Sequence, residues 1–303
     1  MADKFRQTLV RLLGRTPARA ALQPKVLERV ALSGFVREKV SYMVEPGQRV
    51  SAYLFLPAGE GRHPAVLCLH QHNREYHLGK SEPAGLSGNP EQFYALELTK
   101  RGYVTLAPDA ICFEERQHPT LRAQDYERFE ATKRLTEGSC LQAKMLWDLQ
   151  RALDYLTTRR EVDRRRIGCL GHSLGGQEAL FLGAVDRRIA VGVSNCGFSS
   201  YRAIFDAAIL HNFAAYVPGL LRYGDLDRVL GLVAPRPFLV LAGSVDPLYP
   251  LEGVQATMRG ARRVYTGVKD RLRLDVFPAS HGFPAPMREA AYAWFDRWLV
   301  RGR

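Results

Sequence analysis

The sequence predicts an α/β protein built on a mostly parallel central sheet with helices on both faces, and three observations point there. From His63 onward, buried strand-length apolar runs alternate with helical stretches, which is how a parallel sheet covered on both sides is written. Ahead of them lie two β-rich segments, residues 35–44 and 49–56. Glu45-Pro46-Gly47-Gln48 joins them with a turn signal that suits an antiparallel hairpin at the start of the sheet. Finally, Ile167-Gly168-Cys169-Leu170 runs into a glycine-pinched turn and on into Gln177–Ala184, a buried strand feeding a helix.

Residues 1–34 read as an N-terminal helical extension and residues 35–303 as one domain. Leu9, Leu12 and Leu13, then Val26, Leu27 and Val30, mark the apolar faces of one or two amphipathic helices within residues 1–33. Packing on the domain, contact with a partner and a homodimer surface are the roles open to them, packing foremost. Pro64–His70 is the first strongly apolar strand. After a loop to Gly88, Asn89-Pro90-Glu91-Gln92 has the order N-cap, first-turn proline and back-reaching glutamine, and Gly102 closes the helix it begins. Tyr103–Asp109 gives the next strand. The polar segment 112–138 then interrupts the alternation. Ser139-Cys140-Leu141-Gln142 reads as a capping box for a helix that carries Met145, Leu149, Ala152, Leu153 and Leu156 on one face. Beyond the glycine-pinched turn and its helix, Ile189–Ser194 is a strand. Residues 197–235 are too long for a connector and read as a helical insertion over the strand ends. Residues 237–243 and 272–277 supply two more strands, with a helix around 251–262 between them. A final helix presents Met287, Ala291, Trp294, Phe295 and Trp298 at core spacing.

Composition narrows the setting. No run of about 18 apolar residues exists, so no membrane span is expected. The early residues lack a signal-peptide core, and the five cysteines are scattered at Cys68, Cys112, Cys140, Cys169 and Cys196 without a disulfide framework. A reduced, cytoplasmic protein is the expectation. The formal charge is +12, and residues 1–40 supply half of it with nine Lys/Arg against three Asp/Glu. The basic residues are spread over helices and turns without interleaved aromatics. That argues against nucleic-acid binding and leaves a solvated surface, with weak attraction of anionic substrates open.

The chemistry centres on Gly171-His172-Ser173-Leu174-Gly175-Gly176. Gly-x-Ser-x-Gly between a strand and a helix is a nucleophile elbow, a turn so tight that its flanks tolerate no side chain and its serine hydroxyl stands exposed at the sheet's edge. Serine attacks poorly unless a base takes its proton, so a histidine and a carboxylate should follow, each beyond a later strand. Asp246 follows Phe238–Gly243, and His281 follows Leu274–Phe277. Asp109 also ends a strand but precedes the serine, and Asp275 lies too near His281 along the chain to orient it. His172 reads as a packing residue. For the oxyanion, the Leu174 N–H at the helix start is one donor. The loop His70-Gln71-His72-Asn73 should supply another, His72 ahead of Gln71. His70-x-His72 with His77 and His118 also invites a zinc reading. No acidic companion stands at a useful spacing, and a serine elbow needs no metal, so neither a metal nor a cofactor is expected.

With these pieces placed, residues 35–300 resemble the α/β-hydrolase superfamily, and within it the dienelactone hydrolase and acetyl xylan esterase-like group. The likeness rests on Leu69-His70-Gln71, Glu82-Pro83-Ala84-Gly85-Leu86, Arg101–Asp109, Gly171–Gly176 and Gly243-Ser244-Val245-Asp246-Pro247. It implies a cofactor-free serine hydrolase of small-molecule carboxylic esters with Ser173, Asp246 and His281 as its triad. Two departures stand out. His70-Gln71 replaces the usual His-Gly after the first core strand, so the oxyanion loop is expected to differ. Dienelactone hydrolases use cysteine, so Ser173 argues for an esterase. Other readings on this fold are a peptidase, a thioesterase, an acyltransferase or cyclase, and a non-catalytic binding protein.

Overall fold

The computed structural model describes residues 2–301. Its strands are β1 (Lys25–Leu32), β2 (Phe35–Glu45), β3 (Gln48–Pro57), β4 (His63–Leu69), β5 (Val104–Pro108), β6 (Val162–His172), β7 (Val191–Asn195), β8 (Phe238–Gly243) and β9 (Leu272–Phe277). They form one sheet in the order β1-β2-β3-β5-β4-β6-β7-β8-β9. The first three are an antiparallel meander, and β3 also runs antiparallel to β5. From β5 to β9 across the sheet every pairing is parallel.

Helices cover both faces of the parallel part, and alternate strand residues sort into two cores accordingly. Ala65, Leu67, Leu69, Ile167 and Cys169 face one side, against α1 (Ala2–Leu13), α4 (Leu141–Leu156), α5 (Leu174–Val185), α7 (Leu226–Gly231) and α8 (Leu251–Arg262). Val66, Cys68, Leu170 and Val193 face the other, against α2 (Tyr94–Lys100) and α9 (Ala285–Phe295). A strand buried on both faces has no polar face to alternate, which is why β4 from Pro64 onward and β8 read as unbroken apolar runs. The predicted face of the last helix is core: Met287, Ala291, Trp294 and Phe295 are buried, and Trp298, just beyond the helix, is half-buried against them. The interrupting segments carry α3 (Ala123–Thr136) and α6 (Tyr201–Asp206) as well as α7. No helix among the described residues is long and apolar enough to cross a membrane, and all five cysteines are free and buried.

Three local expectations are corrected. Residues 25–32 form a strand rather than a second helix, so the sheet begins at Lys25, and the expected boundary at residue 34 falls in the β1–β2 turn. Val26 and Leu27 mimic a helical face but are about half exposed on the sheet's edge. What holds β1 is its ladder with β2 and cross-strand charge pairs, Arg29 with Glu38 and Glu28 with Arg37. The helical part, α1, packs on the domain through Phe5, Leu9 and Leu13. The Ser139–Gln142 capping box does not form: Ser139 Oγ donates to the Leu13 carbonyl at 2.8 Å, and Gln142 Oε1 accepts from Gln177 Nε2 at 2.7 Å. Both side chains find tertiary partners that outbid the helix end. Asn89 does cap, accepting from Glu91 N at 3.0 Å, but Gln92 does not reach back, because the Asn89 N–H is taken by Glu82.

Candidate active site

The site grows from the β6–α5 turn. Ser173 sits at φ 55°, ψ −117°, a region that a side chain enters only when its surroundings hold it there. Neighbouring glycines make the turn possible. A Cβ on Gly171 would lie 2.2 Å from the Gly175 backbone, and one on Gly175 would lie 2.0 Å from the Leu69 carbonyl. No residue but glycine fits either position, so α5 can start directly behind β6 with Ser173 at the apex. Ser173 N–H donates to the Asn195 carbonyl at 3.0 Å, tying the apex to the end of β7.

Asp246 and His281 arrive from the ends of β8 and β9. His281 Nε2 lies 3.0 Å from Ser173 Oγ, and its Nδ1 lies 2.9 Å from Asp246 Oδ2. Asp246 Oδ1 accepts from Leu248 N at 2.8 Å and Tyr249 N at 3.3 Å, which fixes the carboxylate. Burial alone would push that carboxyl up. The hydrogen bond and charge of His281, with Leu248 N–H and the Cys196 thiol, hold it below the usual carboxylate range. The three residues that the sequence singled out therefore meet in one hydrogen-bonded line.

Leu174 is the first residue of α5, so its N–H belongs to the unpaired donors of a helix start beside Ser173. His72 borders the same cleft as Ser173 and His281, a space of about 230 Å³, which Gln71 does not line; the Gln71 side-chain amide donates to Glu82 at 3.1 Å. A larger cavity of about 600 Å³ lies under the end of α1 and touches none of Ser173, Asp246 and His281.

The Abhydrolase family model matches residues 2–262. Over 305 aligned positions, covering 99% of this chain and 100% of the relative, 32% of residues are identical to "Putative hydrolase YtaP" of Bacillus subtilis (strain 168). The chain belongs to the Abhydrolase family. The fold of this abhydrolase is also that of a "putative acetyl xylan esterase (BF1801)" from Bacteroides fragilis NCTC 9343, with a TM-score of 0.76 and 18% identity, covering 91% of this chain and 74% of that one. A glucuronoyl esterase from Solibacter usitatus gives a TM-score of 0.71 at 18% identity, covering 96% of this chain and 91% of that one. At such identities the likeness is one of fold.

The rival residues of the abhydrolase are engaged elsewhere. Asp109 is held by Lys80, Nζ at 2.8 Å and backbone N at 2.8 Å, and Asp275 by Arg273 Nε at 2.6 Å. His172 is buried against His281, ring centroids 4.7 Å apart, and burial pulls its pKa down to about 3. A neutral ring there adds no charge beside His281. His70 accepts from Ala110 N and donates to the Gln71 carbonyl, and burial lowers it to about 4. Both His70 nitrogens are thus committed to the backbone, as those of His72 are to Arg74 N and Glu127.

Sequence reasoning missed the groups around this line. Glu127, on α3 and buried, accepts from His72 Nε2 at 2.7 Å, Tyr76 hydroxyl at 2.5 Å and Phe213 N at 2.8 Å. Because His72 Nδ1 accepts from Arg74 N at 3.0 Å, its proton sits on Nε2. Burial raises Glu127, but His72, Tyr76 and Phe213 outweigh it and keep the carboxyl below its ordinary range. Tyr249 is buried, its hydroxyl within reach of the Ser173 side chain and its ring 5.7 Å from His281. It stacks on His211 at 4.7 Å, and His211 lines the cleft. No spacing signal marks these residues: each belongs to an insertion or loop, and only the Asp246-Pro247 turn hints at Tyr249.

Proposed function

We propose that this abhydrolase cleaves carboxylic esters through an acyl-enzyme on Ser173, and the observation that carries the reading is the line Asp246–His281–Ser173 at 2.9 and 3.0 Å. His281 Nε2 takes the hydroxyl proton as Ser173 Oγ attacks the ester carbonyl, and that proton leaves with the alcohol. A water deprotonated by His281 then attacks the acyl-enzyme, releases the acid and returns the proton to Ser173. Asp246 keeps the His281 proton on Nδ1 and stabilises the imidazolium. The oxyanion is held by the N–H of Leu174 and by an N–H of the loop after β4, for which His72, beside the cleft, is favoured over Gln71. Each such donor is worth about 3–4 kcal/mol in the transition state.

The esterase neighbours put a carbohydrate-borne ester first among substrate classes. Asn73, Gln124, His211 and Asn212 give the cleft the polar lining such a substrate needs. Ser173→Ala should lower kcat on 4-nitrophenyl acetate by roughly 10⁴–10⁶-fold while the circular dichroism spectrum is retained. A fluorophosphonate probe should label the wild type and not the variant. An unchanged rate, or labelling that survives the substitution, removes the assignment.

A further inference from the structure

The triad cleft does not end at its own walls. A second cleft of about 400 Å³ adjoins it and shares Arg74 and Tyr76 with it. Its other lining side chains include His77, Gln117, His118 and Arg122, and no carboxylate lines it. Arg74 and Arg122 are both exposed at its rim and, among the described residues, have no ion-pair partner. The nearby Glu75 is instead engaged by Asn73 Nδ2 at 2.7 Å. His118 Nδ1 accepts from Leu121 N at 3.1 Å, which leaves Nε2 as its N–H. The cleft thus offers guanidinium and imidazole donors and little to accept.

The loop that brings Arg74 to the junction is held in an unusual shape. Asn73 at φ 39° and Arg74 at φ 56° are consecutive non-glycine residues in the left-handed region. The His72 ring imposes it, accepting from Arg74 N while Glu127 clamps its far nitrogen. The oxyanion loop and the cationic junction therefore share one clamp.

We infer that the preferred substrate is an ester that itself carries an anionic group, a carboxylate or a phosphate, which docks between Arg74 and Arg122 while the ester carbonyl lies at Ser173. This rests on the ester-hydrolase reading above and narrows it to a substrate class. A guanidinium suits the planar carboxylate and the tetrahedral phosphate alike by forked N–H donation. The overall charge of +12 would draw such a substrate toward the cleft.

The test is a ratio of kcat/KM values at low ionic strength. 4-Acetoxybenzoate and 4-acetoxyphenyl phosphate are compared with phenyl acetate, which places the anion on the alcohol side as carboxylate or phosphate. Mono-4-nitrophenyl glutarate is compared with 4-nitrophenyl butyrate, which places it on the acyl side. At least one anionic ester should exceed its neutral counterpart by about tenfold or more. Joint Arg74→Gln and Arg122→Gln substitution should collapse that ratio toward one by raising KM, and Arg122→Lys in the otherwise wild-type protein should retain most of it. If every anionic ester is no better than its counterpart, or the advantage survives the double substitution, the inference is overturned. If the wild type cleaves none of these esters, neutral or anionic, or if Ser173→Ala cleaves them as well, the underlying ester-hydrolase reading falls instead.

Discussion

At the scale of single residues, the site depends on side chains whose freedom has been removed. Asp246 accepts two backbone N–H groups on one oxygen and faces His281 with the other, so the imidazole is met by a fixed acceptor. Asp246→Asn keeps the shape but presents an amide that donates as well as accepts, which favours the wrong tautomer of His281. The expected result is a fall in kcat of roughly 10³–10⁴-fold, with KM and thermal midpoint little changed, read by steady-state kinetics and calorimetry. A loss below tenfold would mean that His281 is oriented by something else. Asp246 was legible in the sequence because strand ends after the elbow are few. Tyr249 was not, since an aromatic three residues into a turn carries no signal of its own.

At the scale of elements, α3 is the piece that the sequence left blank and the structure makes central. Its buried Glu127 joins the loop after β4, through His72 and Tyr76, to the second insertion through Phe213 N. Glu127→Gln should be felt at the chemistry. The amide must turn its NH2 toward one of these donors, and His72 cannot answer by shifting its proton, because Nδ1 already accepts from Arg74 N. We expect kcat/KM to fall roughly 10–100-fold through misplacement of the loop, with stability lowered by about 1–3 kcal/mol for the donor left unmatched. Kinetics alongside urea unfolding separates the two effects, and an unchanged kcat/KM would show that the loop holds its shape unaided.

At the scale of the molecule, charges lie beneath the site in a layer that the fold has closed over. Lys80, Asp109, Arg116, Lys144, Asp148 and Glu178 are removed from solvent, with Lys80 paired to Asp109 and Arg116 to Asp148. Glu178 is the odd member, its Oε1 without a hydrogen-bond partner. Burial foremost, then the charge of Asp148, pushes its pKa up to about 8 against the opposing pull of Arg116. In the unfolded chain it would titrate near about 4.3. Between those values the folded state keeps a proton that the unfolded state has lost. Its contribution is therefore greatest at the acid side of the window and declines as pH rises, by about 1.4 kcal/mol per pH unit. Glu178→Gln should flatten the dependence of unfolding free energy on pH between about pH 5 and about pH 8. Denaturant titrations showing parallel slopes for the two proteins would mean that the carboxyl is ionised in the fold.

What the sequence determined by itself is what short-range sterics and burial dictate. Apolar runs without alternation give β4 and β8 because strands covered on both faces have no polar side. Gly171 and Gly175 give the elbow because a Cβ at either would enter backbone. The order Ser173, Asp246, His281 follows from strands that all end at one edge. The tertiary structure decided whatever depends on competing partners distant in the chain. Residues 25–32 became an edge strand because β2 offered a ladder, Ser139 abandoned its helix end for the Leu13 carbonyl, and Glu127 joined the site from an insertion. A hydrogen bond between distant residues leaves no periodicity behind, so only the folded chain reveals which acceptor a donor has found.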